Sequence, residues 1–222
     1  MNPDYWISRW ERDETGFHAP EVQAGLIAAF DQTGFKQPGN VLVPLCGKSV
    51  DMVWLASRGW RVFGVELSEK ACRAFFDEQH IPYTVEEKNG FRIFESERIT
   101  LFCGDMFHLK KGMLPAIDLV FDRAALVALP HAIRKRYVSF LQRIAGSCVH
   151  ILITFEYSHE EIIGPPFSVP ETELEALYGA GFDRRIADSR ALITYEGSKM
   201  RRHGVKELSE KTFILVPSPK IP

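Results

Sequence analysis

The stretch Val41-Leu42-Val43-Pro44-Leu45-Cys46-Gly47-Lys48-Ser49-Val50-Asp51-Met52 constrains this chain more than any other. An apolar run ends in one glycine, and an apolar segment of helical character follows. A short continuous apolar run closed by a turn signal reads as a strand buried on both faces, the habit of parallel sheets. The stretch is therefore the expected first strand–turn–helix of an open α/β sheet. Such sheets bind ligands outside the carboxyl ends of their strands, where the strand order reverses. A second buried strand, Trp60 to Ser68, ends at Glu66, 19 residues beyond Gly47. An acidic residue at that spacing is placed to accept hydrogen bonds from ribose hydroxyls, although Glu66 could also serve only to cap the helix that begins near Ser68.

Three nucleotide-type ligands use such a turn. Gly47-Lys48-Ser49 resembles the end of a P-loop, but that motif needs a glycine five residues before Gly47, where Leu42 stands. Too few backbone N–H groups would then wrap a triphosphate. A dinucleotide site calls for three glycines so that the backbone can approach the pyrophosphate, and Leu45-Cys46-Gly47 supplies one. S-adenosylmethionine carries no phosphate, and a single-glycine turn suits it.

Charge and cysteine usage narrow the class further. The 222 residues carry a formal net charge of −2 and are 45% hydrophobic, the composition of an ordinary globular chain with a sizeable core. No long basic run points to nucleic acid or a membrane surface; Arg134-Lys135-Arg136 and Arg201-Arg202 read as solvated faces. Cys46, Cys72, Cys103 and Cys148 make no C-x-x-C pair, and the histidines make no H-x-x-x-H pair, so no metal site is expected. Unpaired cysteines, the absence of a signal-peptide pattern at Met1–Trp6 and the lack of a bilayer-length apolar run favour a cytoplasmic protein.

Along the chain, Trp6 and Trp10 fall four apart and would share a helix face. They could pin the N-terminal arm to the core or form a lid whose aromatic faces attract a cation. Val22, Leu26, Ile27 and Phe30 give a helical stripe that Gly34 ends. Met52–Ser57 and Ser68–Phe76 are expected helices, the second opened by a serine cap. Residues 83–98 read as an inserted hairpin turning at Asn89-Gly90. Further strands are expected at Ile99–Asp105, Ala116–Leu126 and Cys148–Phe155, with an amphipathic helix at Ile133–Ile144. Asp105 could receive an adenine amino group or simply start a turn. Asp122 and Arg123 could form a local ion pair, or Arg123 could face the ligand cleft with its forked donors. Gly164–Pro170 is a stiff loop suited to a pocket wall, or an inert connection; Leu174, Leu177 and Tyr178 mark a helix after it. Arg190–Tyr195 and Thr212–Val216 are expected as the last two, antiparallel, strands.

Taken together, the segments Trp6-Ile7-Ser8-Arg9-Trp10, Gly16-Phe17-His18, Val41–Met52, Gly64–Ser68, Cys103-Gly104-Asp105, Asp122–Pro130 and Gly164–Phe167 resemble the thiopurine S-methyltransferase family, bacterial branch. These are class I S-adenosylmethionine-dependent methyltransferases. The resemblance implies a doubly wound, mostly parallel, seven-stranded Rossmann-like sheet in one domain spanning 1–222, with residues 1–20 as a lid arm. It implies that Trp10, Leu45, Glu66 and Arg123 contact the cofactor, and that Trp6, Gly47 and the backbone around Asp105 and Met106 complete its site. Phe17 would lie beside the acceptor, with Arg123 near it and Lys199 the nearest match to a basic substrate-holding residue.

The activity this implies is in-line methyl transfer from the sulfonium to an aromatic or heterocyclic thiol. A thiolate is the reactive nucleophile. An acidic heteroaromatic thiol is already partly ionised near neutral pH, so no dedicated acid or base is expected, and catalysis would rest on positioning inside a closed pocket. Methylation of selenium or tellurium species, linked to tellurite resistance, is the alternative role. A non-catalytic nucleotide-binding module is the alternative from another class. The partner is a small-molecule thiol, and a monomer is expected because nothing reads as a coiled coil or an exposed apolar stripe.

Overall fold

In the computed structural model, residues 3–158, 164–194, 196 and 199–219 are described. The buried runs form the centre of one sheet. Strands β1 (Asn40–Pro44), β2 (Arg61–Glu66), β5 (Ile99–Cys103), β6 (Leu119–Arg123) and β7 (Val149–Glu156) lie parallel in the spatial order β5-β2-β1-β6-β7. Their side chains alternate between two apolar layers. Val41, Val43, Leu119, Phe121, Ile151 and Ile153 pack under helices α2 (Ala24–Gln32), α3 (Asp51–Ser57) and α4 (Glu69–Glu78). Leu42, Phe63, Val65, Val120 and Leu152 face α5 (His131–Ala145) and α6 (Glu171–Tyr178). Helices on both faces explain why the central strands read as unbroken hydrophobic runs.

The sheet has nine strands, not seven. The turn Asn89-Gly90 joins β3 (Thr84–Lys88) to β4 (Phe91–Glu95), and β4 pairs antiparallel with β5 from Arg92↔Cys103 to Glu95↔Thr100. The hairpin thus extends the sheet by two strands and satisfies the backbone of β5, which would otherwise be an open edge. The other end is also longer than the sequence suggested. β8 runs from Phe182 to Ile193 and β9 from Glu207 to Pro217, pairing antiparallel with each other, and β9 pairs with β7. The polar residues Asp183, Arg184, Arg185 and Asp188 hide β8 from a hydrophobicity reading, because this strand is an edge with solvent beside it.

β1 connects outward to β2, whereas β6 lies on its other side. The order therefore reverses between β1 and β6, and the carboxyl ends of these two strands carry Leu45-Cys46-Gly47 and Asp122-Arg123. A ligand crevice is expected at this position. The N-terminal helix α1 (Pro3–Glu11) lies against α4 and brings Trp10 into the core. Among the described residues, no helix is long and apolar enough to cross a membrane.

Candidate functional site

The turn after β1 is held in an unusual backbone shape. Leu45 has φ +47° and Gly47 has φ +52°, both left-handed. This conformation costs a residue with a Cβ roughly 1–2 kcal/mol, and at Leu45 it is kept because its neighbours are tied down. Cys46 N donates to Val65 O at 3.0 Å, and Gly47 N donates to Glu66 Oε2 at 2.9 Å. Gly47 is needed for space as well, since a Cβ there would stand 3.1 Å from Trp10 Cζ2. The turn and the arm are therefore in contact.

Glu66 is 6% exposed at the end of β2. Oε1 accepts from Ser68 N at 2.8 Å and Oε2 from Gly47 N. Burial pushes its carboxyl up from the ordinary value, and the hydrogen bonds from the Ser68, Gly47 and Leu67 N–H groups pull it back. Capping of α4 falls instead to Ser68 Oγ, which accepts from Ala71 N. A carboxylate offers about four lone-pair sites; Gly47 N and Ser68 N take two of them in well-formed bonds, and Leu67 N–H acts on the group more weakly. Acceptor capacity remains for the hydroxyls of a vicinal diol such as a ribose, so the chemistry of this group fits an adenosine.

Asp122 and Arg123 do not pair with each other. Successive strand residues point to opposite faces. Asp122, fully buried, accepts from Tyr137 OH at 2.7 Å and Leu126 N at 3.1 Å, and its carboxyl is pushed up to about 6 by burial. Arg123 Nη1 donates to Phe17 O at 2.9 Å. Burial lowers the guanidinium's pKa, against which Asp51 and Glu210 act. Phe17 in turn meets Trp6 edge-on at 5.5 Å and Trp10 at 5.4 Å. Arg123, Phe17, Trp6, Trp10 and Gly47 thus form one contact chain across the carboxyl ends of β1 and β6. Its aromatic faces suit a cation such as a sulfonium.

Asp105 lies beyond β5, and its Oδ1 accepts from Phe107 N, capping a short 3-10 turn that buries Met106. Lys199 opens helix α7 (Lys199–Arg202), but its side chain is outside the described residues. The stiff loop is anchored from two sides. Phe167 N donates to Val127 O, Tyr157 OH donates to Pro166 O, and Arg134, 2% exposed, donates to Leu129 O, Ser168 O and Glu173 Oε2. The depression of about 370 Å³ near Glu175, Arg184 and Phe213 contains none of the residues singled out from the sequence.

A profile of the family described as Thiopurine S-methyltransferase (TPMT) matches residues 1–217. A thiopurine S-methyltransferase of Bordetella pertussis is 40% identical over 216 residues, covering 97% of this chain and 98% of the relative. One from Pseudomonas fluorescens, strain Pf0-1, is 38% identical over 213 residues, covering 96% and 98%. The chain belongs to the thiopurine S-methyltransferase family. It is an S-adenosylmethionine-dependent methyltransferase. Solved structures agree on the fold at much lower identity. Magnesium protoporphyrin IX methyltransferase of Synechocystis PCC 6803 superposes with a TM-score of 0.63 at 17% identity, covering 97% of this chain and 98% of that one. A Burkholderia thailandensis N-methyltransferase gives 0.62 at 16%, covering 96% and 87%.

Two acidic residues of this methyltransferase escaped the sequence reading as site residues. Asp51, 1% exposed at the start of α3, accepts from Gln23 N and Ser49 Oγ, each at 2.8 Å, and acts electrostatically on Arg123. It stood in the glycine-turn motif with no role of its own assigned to it. Glu210 of β9 also acts on Arg123. Nothing local marks it, because an antiparallel strand close to the C-terminus brings it there.

Proposed function

We propose that this methyltransferase methylates the sulfur of small aromatic and heterocyclic thiols, thiopurines among them, as a cytoplasmic monomer. The observation that carries the reading is the direct bond from Arg123 to the backbone of Phe17, which ties the arm across the carboxyl end of the sheet. When bound, S-adenosylmethionine supplies an electrophilic methyl group on a sulfonium.

In this reading Glu66 accepts the ribose hydroxyls with its remaining lone pairs. Leu45 and Gly47 present backbone to the cofactor, Trp10 and Trp6 lie by the sulfonium, and the backbone of Asp105 and Met106 borders the adenine. Phe17 and Arg123 flank the acceptor, and Lys199 assists in holding it. Residues 1–20 act as a lid that excludes water; holding sulfur and methyl in attack geometry is then worth several kcal/mol. An ionised thiol needs no further activation by the protein.

The test is calorimetric titration of S-adenosylhomocysteine into wild-type protein and Glu66→Gln, alongside turnover of a heterocyclic thiol. Hydrogen bonds to a charged group contribute about 1.5–3 kcal/mol, so the variant should bind roughly 10- to 100-fold more weakly. Unchanged affinity and turnover would refute the assignment of Glu66.

A further inference from the structure

Glu210 lies opposite Phe155, close to the carboxyl end of β7. It is 8% exposed, yet its carboxylate accepts no hydrogen bond among the described residues, and the ion-pair contact to Arg190 Nε is long, 3.7 Å. The Glu210 oxygens are not among the buried, partnerless atoms, so they keep access to solvent, and an N–H donor that displaces that solvent can reach their free acceptor sites. Two residues further along β9, Thr212 meets the backbone of Gly25 in α2 so closely that a Cβ there would overlap its Oγ1. Two residues back, Leu208 packs with Met200 of α7. Glu210 therefore stands between the start of α2 and the short helix that begins at Lys199. Arg123, Arg190 and Asp188 are the charged groups that act on it, and Asp51 acts on Arg123 as well. The carboxylate thus belongs to the acceptor side of the crevice.

Heterocyclic thiols differ from simple aromatic thiols in one respect that matters at such a position. In water they exist largely as thiones, with a C=S bond and a proton on the neighbouring ring nitrogen. Methylating the sulfur of a thione requires that proton to leave. We infer that Glu210 accepts the ring N–H of a heterocyclic thione and takes its proton as the sulfur is methylated. The inference rests on the acceptor class proposed above. In the step, an acceptor S–CH3 bond forms while the donor's C–S bond breaks, its electron pair staying on the donor sulfur. The N–H pair becomes the ring C=N bond as C=S becomes C–S, and the proton passes to Glu210 and then to solvent.

The test compares 6-mercaptopurine, which has the ring N–H, with thiophenol, which has none, in wild-type protein, Glu210→Gln and Glu210→Ala. An amide oxygen still accepts a hydrogen bond but does not take the proton. Glu210→Gln should therefore lower kcat for 6-mercaptopurine about a hundredfold with KM changed only a few-fold, so that its kcat/KM ratio to thiophenol falls by a similar factor. Glu210→Ala should in addition weaken equilibrium binding of 6-mercaptopurine about tenfold, measured by calorimetry in the presence of S-adenosylhomocysteine. Glu210→Gln has the native shape and carries the test if the alanine variant does not fold. Parallel losses on both acceptors would overturn the inference and leave Glu210 as a support for Arg123 and Arg190; an unchanged ratio would overturn it too. Wild-type protein that methylates neither acceptor would overturn the proposed function itself, and this inference with it.

Discussion

His150 should make this protein acid-sensitive by an amount that can be worked out from its surroundings. It sits mid-sheet on β7, paired with Val120 and Leu215, and is fully buried. Tyr178 and Phe182 meet its ring edge-on at 5.7 and 5.2 Å, and neither ring nitrogen has a hydrogen-bond partner among the described residues. Burial pushes its pKa down to about 3. The unfolded value is about 6.5, so below it the unfolded chain binds the extra proton and the native state does not. Stability from the neutral ring is fully present above about pH 6.5 and is lost as the pH falls through the folded value. The loss amounts to about 2 kcal/mol by pH 5 and roughly 5 kcal/mol by pH 3. Asp122 acts in the opposite sense: its carboxyl, pushed up to about 6, adds stability at low pH that is lost as the pH rises through that value. Comparing wild type with His150→Phe cancels that contribution and keeps the aromatic packing. Urea unfolding at pH 7.5 and pH 5.0 should show the variant gaining about 2 kcal/mol on wild type at the lower pH. A difference that is the same at both pH values would refute the reasoning.

Two further predictions concern the turn and the arm. Gly47→Ala should destabilise the protein by about 1–2 kcal/mol, because a Cβ at a left-handed φ also presses on the Trp10 ring; a red shift of tryptophan fluorescence would report the displaced indole. Arg123→Lys keeps the charge but loses the forked donor that reaches Phe17 O, so limited proteolysis should cut faster within residues 3–20 while the rest of the chain stays resistant.

Part of the candidate site's geometry was legible because it is encoded locally. Gly47 follows the first strand and Glu66 ends the second strand of one β–α–β unit, and their spacing already implies that the two strand ends meet; the structure joins them by a hydrogen bond. The Trp6 and Trp10 pair was legible through helical periodicity, although periodicity alone did not say what the face covers. Asp122 and Arg123 were singled out together, but whether they pair depends on which face each side chain takes. That depends on whether the strand runs on through both, and β6 does, with Asp122 opposite Leu152 and Arg123 opposite Ile153.

The residues the sequence left dark are those whose role is created by long-range pairing. Glu210 looks like any acidic residue in a polar, β-prone tail until β9 aligns it with Phe155. Arg134 sits in a basic triplet that reads as a solvated face, yet it is buried and ties the Pro166–Ser168 loop to α6. Likewise the two extra strands of the hairpin were seen as an insertion, because local sequence marks the turn but not the edge it will join.

The sequence by itself therefore determined the open α/β sheet, the glycine turn and the acidic strand end, which rest on hydrophobic periodicity and short-range spacing, while the doubly wound topology and the family followed from the resemblance of its motifs to known methyltransferases. Tertiary structure alone decided which charges are buried together around Arg123, because burial and electrostatic coupling depend on distances between residues remote in the chain, and these exist only once the sheet has closed its register.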